Sequence, residues 1–325
     1  MATLEAKQRT EVSERLIKKG IETWALLPFY SFPTDCPQSV EKLKKTAETV
    51  AAFVNHVVVV NDGVKGLTKD QLPRGADLYR LDTHLGKAAA IREGVFQISQ
   101  RVRSERDLII QADADFDQDP RDTVIFLNRY EELSRREHQP TLLIGDRYHN
   151  SPDNLIRYRR DLLAINRGII SEAGYRIGTG DLQSGFRAYS VDLAKMFGNT
   201  GKSYRYGIEV EQAIIAMAKK VNVESVFLST SRIRTASTDA LKWIENFAGI
   251  LDHTKDFGGE KGQGGNLIKV WTALEIALNA MQERKDVKVT IPVAGQSREF
   301  YFFMPDEKNY TVVSLNRPLN KPQLY

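Results

Sequence analysis

Residues 107–120 read Asp107-Leu108-Ile109-Ile110-Gln111-Ala112-Asp113-Ala114-Asp115-Phe116-Asp117-Gln118-Asp119-Pro120. The apolar run from Asp107 to Gln111 is too short for a helix and has the character of a strand buried on both faces. It runs directly into Asp113, Asp115, Asp117 and Asp119, four carboxylates within seven residues. Such crowding is repulsive without a cation, and hard oxygen ligands suit Mg²⁺ or Mn²⁺, ions that bridge the phosphates of a nucleotide. Asp119 before Pro120 also matches a helix cap followed by proline at the first helical position. A calcium loop is excluded, because no Gly or terminal Glu follows at the required places.

The same strand, turn and helix order repeats on either side of this stretch. Ala25 to Phe32 is an apolar run, and Ser39 to Phe53 shows helical spacing at Val40, Leu43, Ala47 and Val50. His56 to Val60 is β-branched and stops at the turn Asn61-Asp62-Gly63. Leu78 to Leu81 is a short strand, Gly86 to Arg101 a helix, Arg121 to Arg136 a helix and Thr141 to Gly145 a strand. This alternation predicts an α/β fold, a mostly parallel sheet with helices on both faces, with ligands at the carboxyl ends of the strands. The turns at 61–63 and 113–115 share that edge. Past Gly180 the alternation breaks: Phe186 to Tyr189 and Val221 to Leu228 read as strands, and Ile208 to Lys220, Thr238 to Leu251 and Leu267 to Met281 as amphipathic helices. Gly258 to Gly265 reads as a flexible loop. Alternating runs at 287–293, 300–303 and 310–313 predict a small β extension, with a hairpin whose Phe300, Phe302 and Phe303 need a covering surface.

The 325 residues suffice for one large α/β domain or two modest ones. With 42% hydrophobic and 27% charged residues, the composition excludes disorder, and a net charge of +4 spread along the chain is no argument for nucleic acid. Cys36 is the single cysteine, which excludes a disulfide scaffold and favours a reducing cytosol. The expectation is a cytoplasmic protein that touches a membrane, if at all, from outside, because no run approaches the length of a spanning helix.

Four segments in order resemble the family 2 glycosyltransferases, and above all the dolichol-phosphate mannose synthase-like group. They are Asn61-Asp62-Gly63, His84-Leu85-Gly86-Lys87, Ala112 to Asp117, and Asp181-Leu182-Gln183-Ser184-Gly185-Phe186-Arg187. The likeness covers roughly Trp24 to Leu251 and implies a Rossmann-like nucleotide-diphospho-sugar transferase sheet, the type A glycosyltransferase fold. It divides the chain into an N-terminal helical segment at 1–23, a catalytic domain at 24–255 and an accessory extension at 256–325.

The resemblance also implies roles. Asp62 matches the residue that holds the base or ribose, and Lys87 the lysine near the donor. Asp113 and Asp115 match the D-x-D pair for metal and diphosphate, with Asp117 a further ligand at a position where many relatives have Gln. Asp181 and Arg187 match the ends of the last segment, and Glu211 the acidic residue before the last core helix. Arg232 and Ser237 keep the spacing of an R-x-x-G-x-S loop in which Thr235 replaces Gly. Pro28-Phe29-Tyr30-Ser31-Phe32 stands where the usual first-strand motif is P-x-Y-N-E, and stacking on a base and packing in the core stay open for Tyr30.

The chemistry expected is an inverting transfer of a sugar from a nucleoside diphosphate, with Mg²⁺ or Mn²⁺ offsetting charge on the leaving group. Asp181 is the first candidate for a base if the acceptor is a hydroxyl, while Arg187 or Arg232 would bind an acceptor phosphate. The acceptor stays open between a polyprenyl phosphate and a soluble hydroxyl, and the extension between an oligomer contact and an acceptor-side element. A P-loop is excluded because Met196 stands where the first Gly of the motif belongs, and the five histidines lack zinc-ligand spacing. A sugar-phosphate nucleotidyltransferase and a non-catalytic nucleotide-sugar-binding subunit are the competing readings. The first ordinarily needs a Gly-rich loop after the first strand, and Pro28 to Pro37 contains no Gly.

Overall fold

The computed structural model describes residues 11–31, 36–115, 118–135, 139–147, 181–200, 207–229, 264–293, 296–304 and 311–314. Its centre is a seven-stranded sheet in the order β3-β2-β1-β4-β6-β5-β7. The strands are β1 (Thr23–Phe29), β2 (His56–Asp62), β3 (Asp77–Leu81), β4 (Leu108–Gln111), β5 (Thr141–Asp146), β6 (Arg187–Ser190) and β7 (Asn222–Phe227). β3, β2, β1 and β4 pair in parallel, as do β5 and β7; β6 alone runs antiparallel, between β4 and β5. That insertion puts the start of β6 at the same edge as the ends of the other strands.

Period-two alternation splits the strand residues between two buried faces, as a sheet covered on both sides requires. Trp24, Leu26, Val58, Val60, Ile109, Leu142 and Ile144 face one side. There they meet helices α3 (Lys87–Ser99), α5 (Val191–Thr200) and α6 (Ile208–Ala218). Ala25, Leu27, Val57, Val59, Ile110 and Leu143 face the other, against α1 (residues 11–18), α2 (Cys36–Ala51) and α4 (Thr123–Leu133). Gly94 lets α3 approach β1 closely: a Cβ there would stand 2.1 Å from Leu26 Cδ1. Asp119 caps a short 3-10 turn, Pro120–Asp122, by accepting from the Arg121 amide, which is the cap expected before Pro120.

Beyond the sheet, α7 (Gly264–Gln282) and a three-stranded antiparallel sheet of β8 (Val287–Val293), β9 (Gln296–Phe303) and β10 (Thr311–Ser314) form the α+β extension. Gly264 and Gly265 begin the helix and are not part of a loop, a correction to the sequence reading. The hairpin pairs Val293 with Gln296, so its strands run further than the aromatic alternation alone indicated. Phe300 and Phe302 are buried in the same apolar cluster as Trp24 and Leu26, so the core of the extension is continuous with the apolar layer on the α3 side of the sheet. Among the described residues no helix is long and apolar enough to cross a membrane. The helix expected at 238–251 lies outside the described residues.

Candidate active site

The carboxyl edge of the sheet carries several of the residues that the sequence singled out, together with Arg147, which it did not. Asp62 ends β2, Asp113 follows β4, Arg147 follows β5, and Asp181 to Phe186 lead into β6. Tyr30 follows β1.

The Asn61-Asp62-Gly63 turn is built from its own side chains. Asn61 brackets Val64, donating to its carbonyl at 2.7 Å and accepting from its amide at 2.8 Å. Gly63 adopts a φ of +79°, and a Cβ there would stand 2.5 Å from the His84 amide nitrogen. Asp62 is buried, and its carboxylate accepts from the amides of Leu85 at 2.7 Å and Gly86 at 2.8 Å, with His84 Nδ1 at 2.7 Å. Its carboxylate is thus engaged by the 84–86 loop. His84 in turn stacks on Tyr30, ring centroids 3.8 Å apart. The surface that this corner offers a ligand is an aromatic pair anchored by Asp62. His84 had no role in the sequence reading because a lone turn histidine carries no spacing signal.

Gly86 caps α3 at a φ of 97°, and Lys87 is the first residue of that helix. Lys87 Nζ lies 2.5 Å from Asp113 Oδ1 and 2.5 Å from Glu209 Oε1. Burial works against the ammonium, but Asp113 and Glu209 outweigh it and hold its pKa well above the usual lysine range. Burial likewise opposes ionisation of Asp113, yet Lys87, with Arg147 and Arg187 further off, holds that carboxyl below its usual range. Glu209, on the first turn of α6, was missed by the sequence reading, which chose Glu211. The two alternate along the helix and face different directions. Glu211 is fully buried and pairs with Arg92 at 3.3 Å, one turn further along α3. The segment Ile208-Glu209-Val210-Glu211 holds two acids in an otherwise apolar turn, and only packing tells which one meets Lys87.

Gly185 abuts Asp113, and Gln111 at the end of β4 donates to the Gly185 carbonyl at 3.2 Å. Gln111 Oε1 accepts from Tyr189 and from Gln212, both at 3.1 Å. Arg187 is wholly buried and donates to the carbonyls of Ser184 (2.6 Å), Leu182 and Glu209 and to Gln212 Oε1 (3.4 Å). Burial pushes its guanidinium down to about 10. The arginine braces the 182–187 turn against α6, which fixes Gly185 and Glu209 together. Asp181, also wholly buried, is gripped by Arg147, whose Nε and a terminal nitrogen donate to it at 2.5 and 2.9 Å. No sequence spacing foretold that partner, 34 residues away.

Asp115 is half-buried beside Asp113 on the same turn. Asp117 and Arg232 lie outside the described residues, as do Thr235 and Ser237. Among the described residues no group of three or more His, Cys, Asp or Glu side chains converges into a metal cage. A site of one or two carboxylates completed by substrate phosphates is how Mg²⁺ is ordinarily held with nucleotides, and Asp113 with Asp115 fits that donor set. The Asp122 carboxylate clasps Ser229 through its amide at 3.0 Å and its hydroxyl at 2.5 Å, which ties the exit of β7 to this edge.

The mostly parallel sheet, the antiparallel β6 and the acidic turn at the end of β4 together define a nucleotide-diphospho-sugar transferase fold. No protein-family model matches the chain. Two dolichyl-phosphate beta-glucosyltransferases of Trichomonas vaginalis are similar to it. One is 23% identical over 220 residues, 64% of this chain and 65% of the relative. The other is 26% identical over 201 residues, 59% and 60% of the two chains. The matches thus span less than two thirds of these relatives' own length. Of solved structures, mannosyl-3-phosphoglycerate synthase from Rubrobacter xylanophilus superposes with a TM-score of 0.54 at 15% identity, over 93% of this chain and 89% of that one. Glucosyl-3-phosphoglycerate synthase from Mycobacterium tuberculosis, in complex with Mn²⁺, UDP-glucose and phosphoglyceric acid, gives 0.51 at 15% identity, over 74% and 83%. At these identities the two structures establish the fold. In fold, motif order and sequence the chain resembles the family 2 glycosyltransferases and, among them, the dolichol-phosphate mannose synthase-like group.

Proposed function

We propose that the chain is an inverting, metal-dependent glycosyltransferase that moves a sugar from a nucleoside-diphosphate donor to an acceptor. The observation that carries this reading is the placement of Asp113: at a strand end, against Gly185, with its carboxylate ionised beside Lys87. Asp113 and Asp115 would hold the cation, which when bound offsets the negative charge that builds on the leaving diphosphate. Lys87 adds a fixed positive charge at the same place. The Tyr30–His84 stack, anchored by Asp62, gives the nucleotide base a flat surface.

Arg187 acts in this reading as a positioning residue, because its donors are engaged by the 182–187 turn and α6. Asp181, held in two hydrogen bonds by Arg147, anchors the same turn. A transfer to an acceptor that is already an anionic phosphate needs no strong base, and the names of the curated relatives, dolichyl-phosphate glucosyltransferases, favour such an acceptor over a soluble hydroxyl. The test is a thermal-shift screen of UDP-, GDP- and dTDP-sugars with and without Mn²⁺, followed by transfer of the stabilising donor's sugar to a polyprenyl phosphate and assignment of the product anomer. Metal-dependent stabilisation and an inverted product support the reading. A retained anomer would remove the inverting assignment, and formation of a nucleotide sugar from a sugar phosphate and a nucleoside triphosphate would replace the class.

A further inference from the structure

Lys87 has two carboxylate partners at equal distance, and only one of them belongs to the acidic turn. We propose that Glu209 is a positioning residue that retains the Lys87 ammonium when Asp113 turns to a divalent cation, so that metal takes Asp113 without leaving a buried lysine unpaired. This inference rests on the reading of Asp113 and Asp115 as metal ligands.

The geometry supports a handover. An ammonium carries three N–H donors, and here one faces Asp113 Oδ1 and another Glu209 Oε1. The side chains are 29% exposed for Asp113, 16% for Lys87 and 8% for Glu209, so Glu209 is the more enclosed of the two partners. Lys87 is fixed at its Cα, because the Gly86 amide before it is held by Asp62. Glu209 is fixed as well: its carbonyl accepts from Arg187, and its helix is buried from Ile208 to Ala216. The Arg92–Glu211 pair joins the same two helices further along. Two rigid helices therefore present the lysine and its second carboxylate to each other whatever Asp113 does. Breaking a buried pair by removing one partner is strongly disfavoured, so a lysine with Asp113 as its sole partner would compete with the metal for it.

The experiment is calorimetric titration of MnCl₂ into the full chain without donor, for wild type, Glu209→Gln, Lys87→Met and the double variant, with folding checked by circular dichroism. Glu209→Gln should weaken Mn²⁺ binding about tenfold, the low end of coupling found for close charge pairs. Lys87→Met should tighten it, and Glu209→Gln should lose most of its effect when added to Lys87→Met. Equal weakening in both backgrounds would mean that only nearby negative charge matters, and would overturn the proposal. If Glu209→Gln does not fold, Lys87→Met still decides, because unchanged or weaker Mn²⁺ binding removes the competition that the proposal requires. Absence of Mn²⁺ binding by wild type would instead overturn the metal site itself, and this proposal with it.

Discussion

Gly185 and Asp113 touch in a way that leaves no room for a side chain: a Cβ on Gly185 would stand 2.3 Å from Asp113 Oδ2. The contact follows from topology, since β6 runs antiparallel beside β4 with Arg187 opposite Gln111, so the turn before β6 crosses the acidic turn after β4. Gly185→Ala should push the Asp113 carboxylate aside at an overpacking cost of about 1–3 kcal/mol. The expected outcome is a protein that folds with a lowered melting temperature and has lost most Mn²⁺ affinity by calorimetry. Retained affinity would show that the carboxylate moves freely there.

Asp62 should act on nucleotide binding through the loop that it anchors. An Asn side chain has one oxygen to offer the Leu85 and Gly86 amides and cannot also accept from His84. Asp62→Asn should cost about 1–3 kcal/mol of stability, as expected for leaving buried groups unsatisfied. It should also weaken the free nucleoside diphosphate and the nucleotide sugar by the same factor, since in the proposed function the stack would meet the base and not the sugar. Equilibrium binding of both ligands to both proteins checks this, and a loss confined to the nucleotide sugar would refute it.

Much of this arrangement was legible in the sequence because it is local. The β-branched run before Asn61, the apolar run before Asp113 and the cap at Asp119 each announce an element within a few residues, and a repeating β/α order fixes which edge the turns share. What stayed hidden depends on contacts across the chain. The place of β6 between β4 and β5, the pair of Arg147 with Asp181, and the choice of Glu209 over Glu211 are set by how helices and strands pack, and none leaves a spacing signal. Arg187 shows the limit most clearly: its motif position was readable, but its complete burial behind the turn was not.

The Arg147–Asp181 pair is the strongest test of what the 181–187 turn needs. With Asp181 wholly enclosed, Asp181→Asn leaves Arg147 with a neutral partner, and breaking such a pair costs about 3–5 kcal/mol. Denaturant unfolding should show that loss. A variant of normal stability that loses only transfer activity would instead support a direct role for Asp181 as base.

A pH dependence should come from Glu131, which joins α1 to α4 by accepting from Arg15 and Lys19, each at 3.1 Å. Burial raises its pKa, but Lys19 and Arg15 outweigh that and hold it below the usual carboxylate range. A carboxyl depressed on folding stabilises above its unfolded pKa and loses that contribution as pH falls through its folded value. The stability gap between wild type and Glu131→Gln should therefore be widest near neutrality and begin to close once pH falls below about 4.3. Urea unfolding at several pH values measures it, and a gap independent of pH would contradict the ion-pair account.

The most direct test of the central claim is calorimetric binding of the donor found in the nucleotide-sugar screen, in Mn²⁺ and in EDTA, to wild type and to Asp115→Asn. The account predicts tight binding by wild type in Mn²⁺, little in EDTA, and little by Asp115→Asn in either, with the variant's melting temperature near that of wild type. Equal donor binding with and without metal, or by the variant and wild type alike, would contradict it.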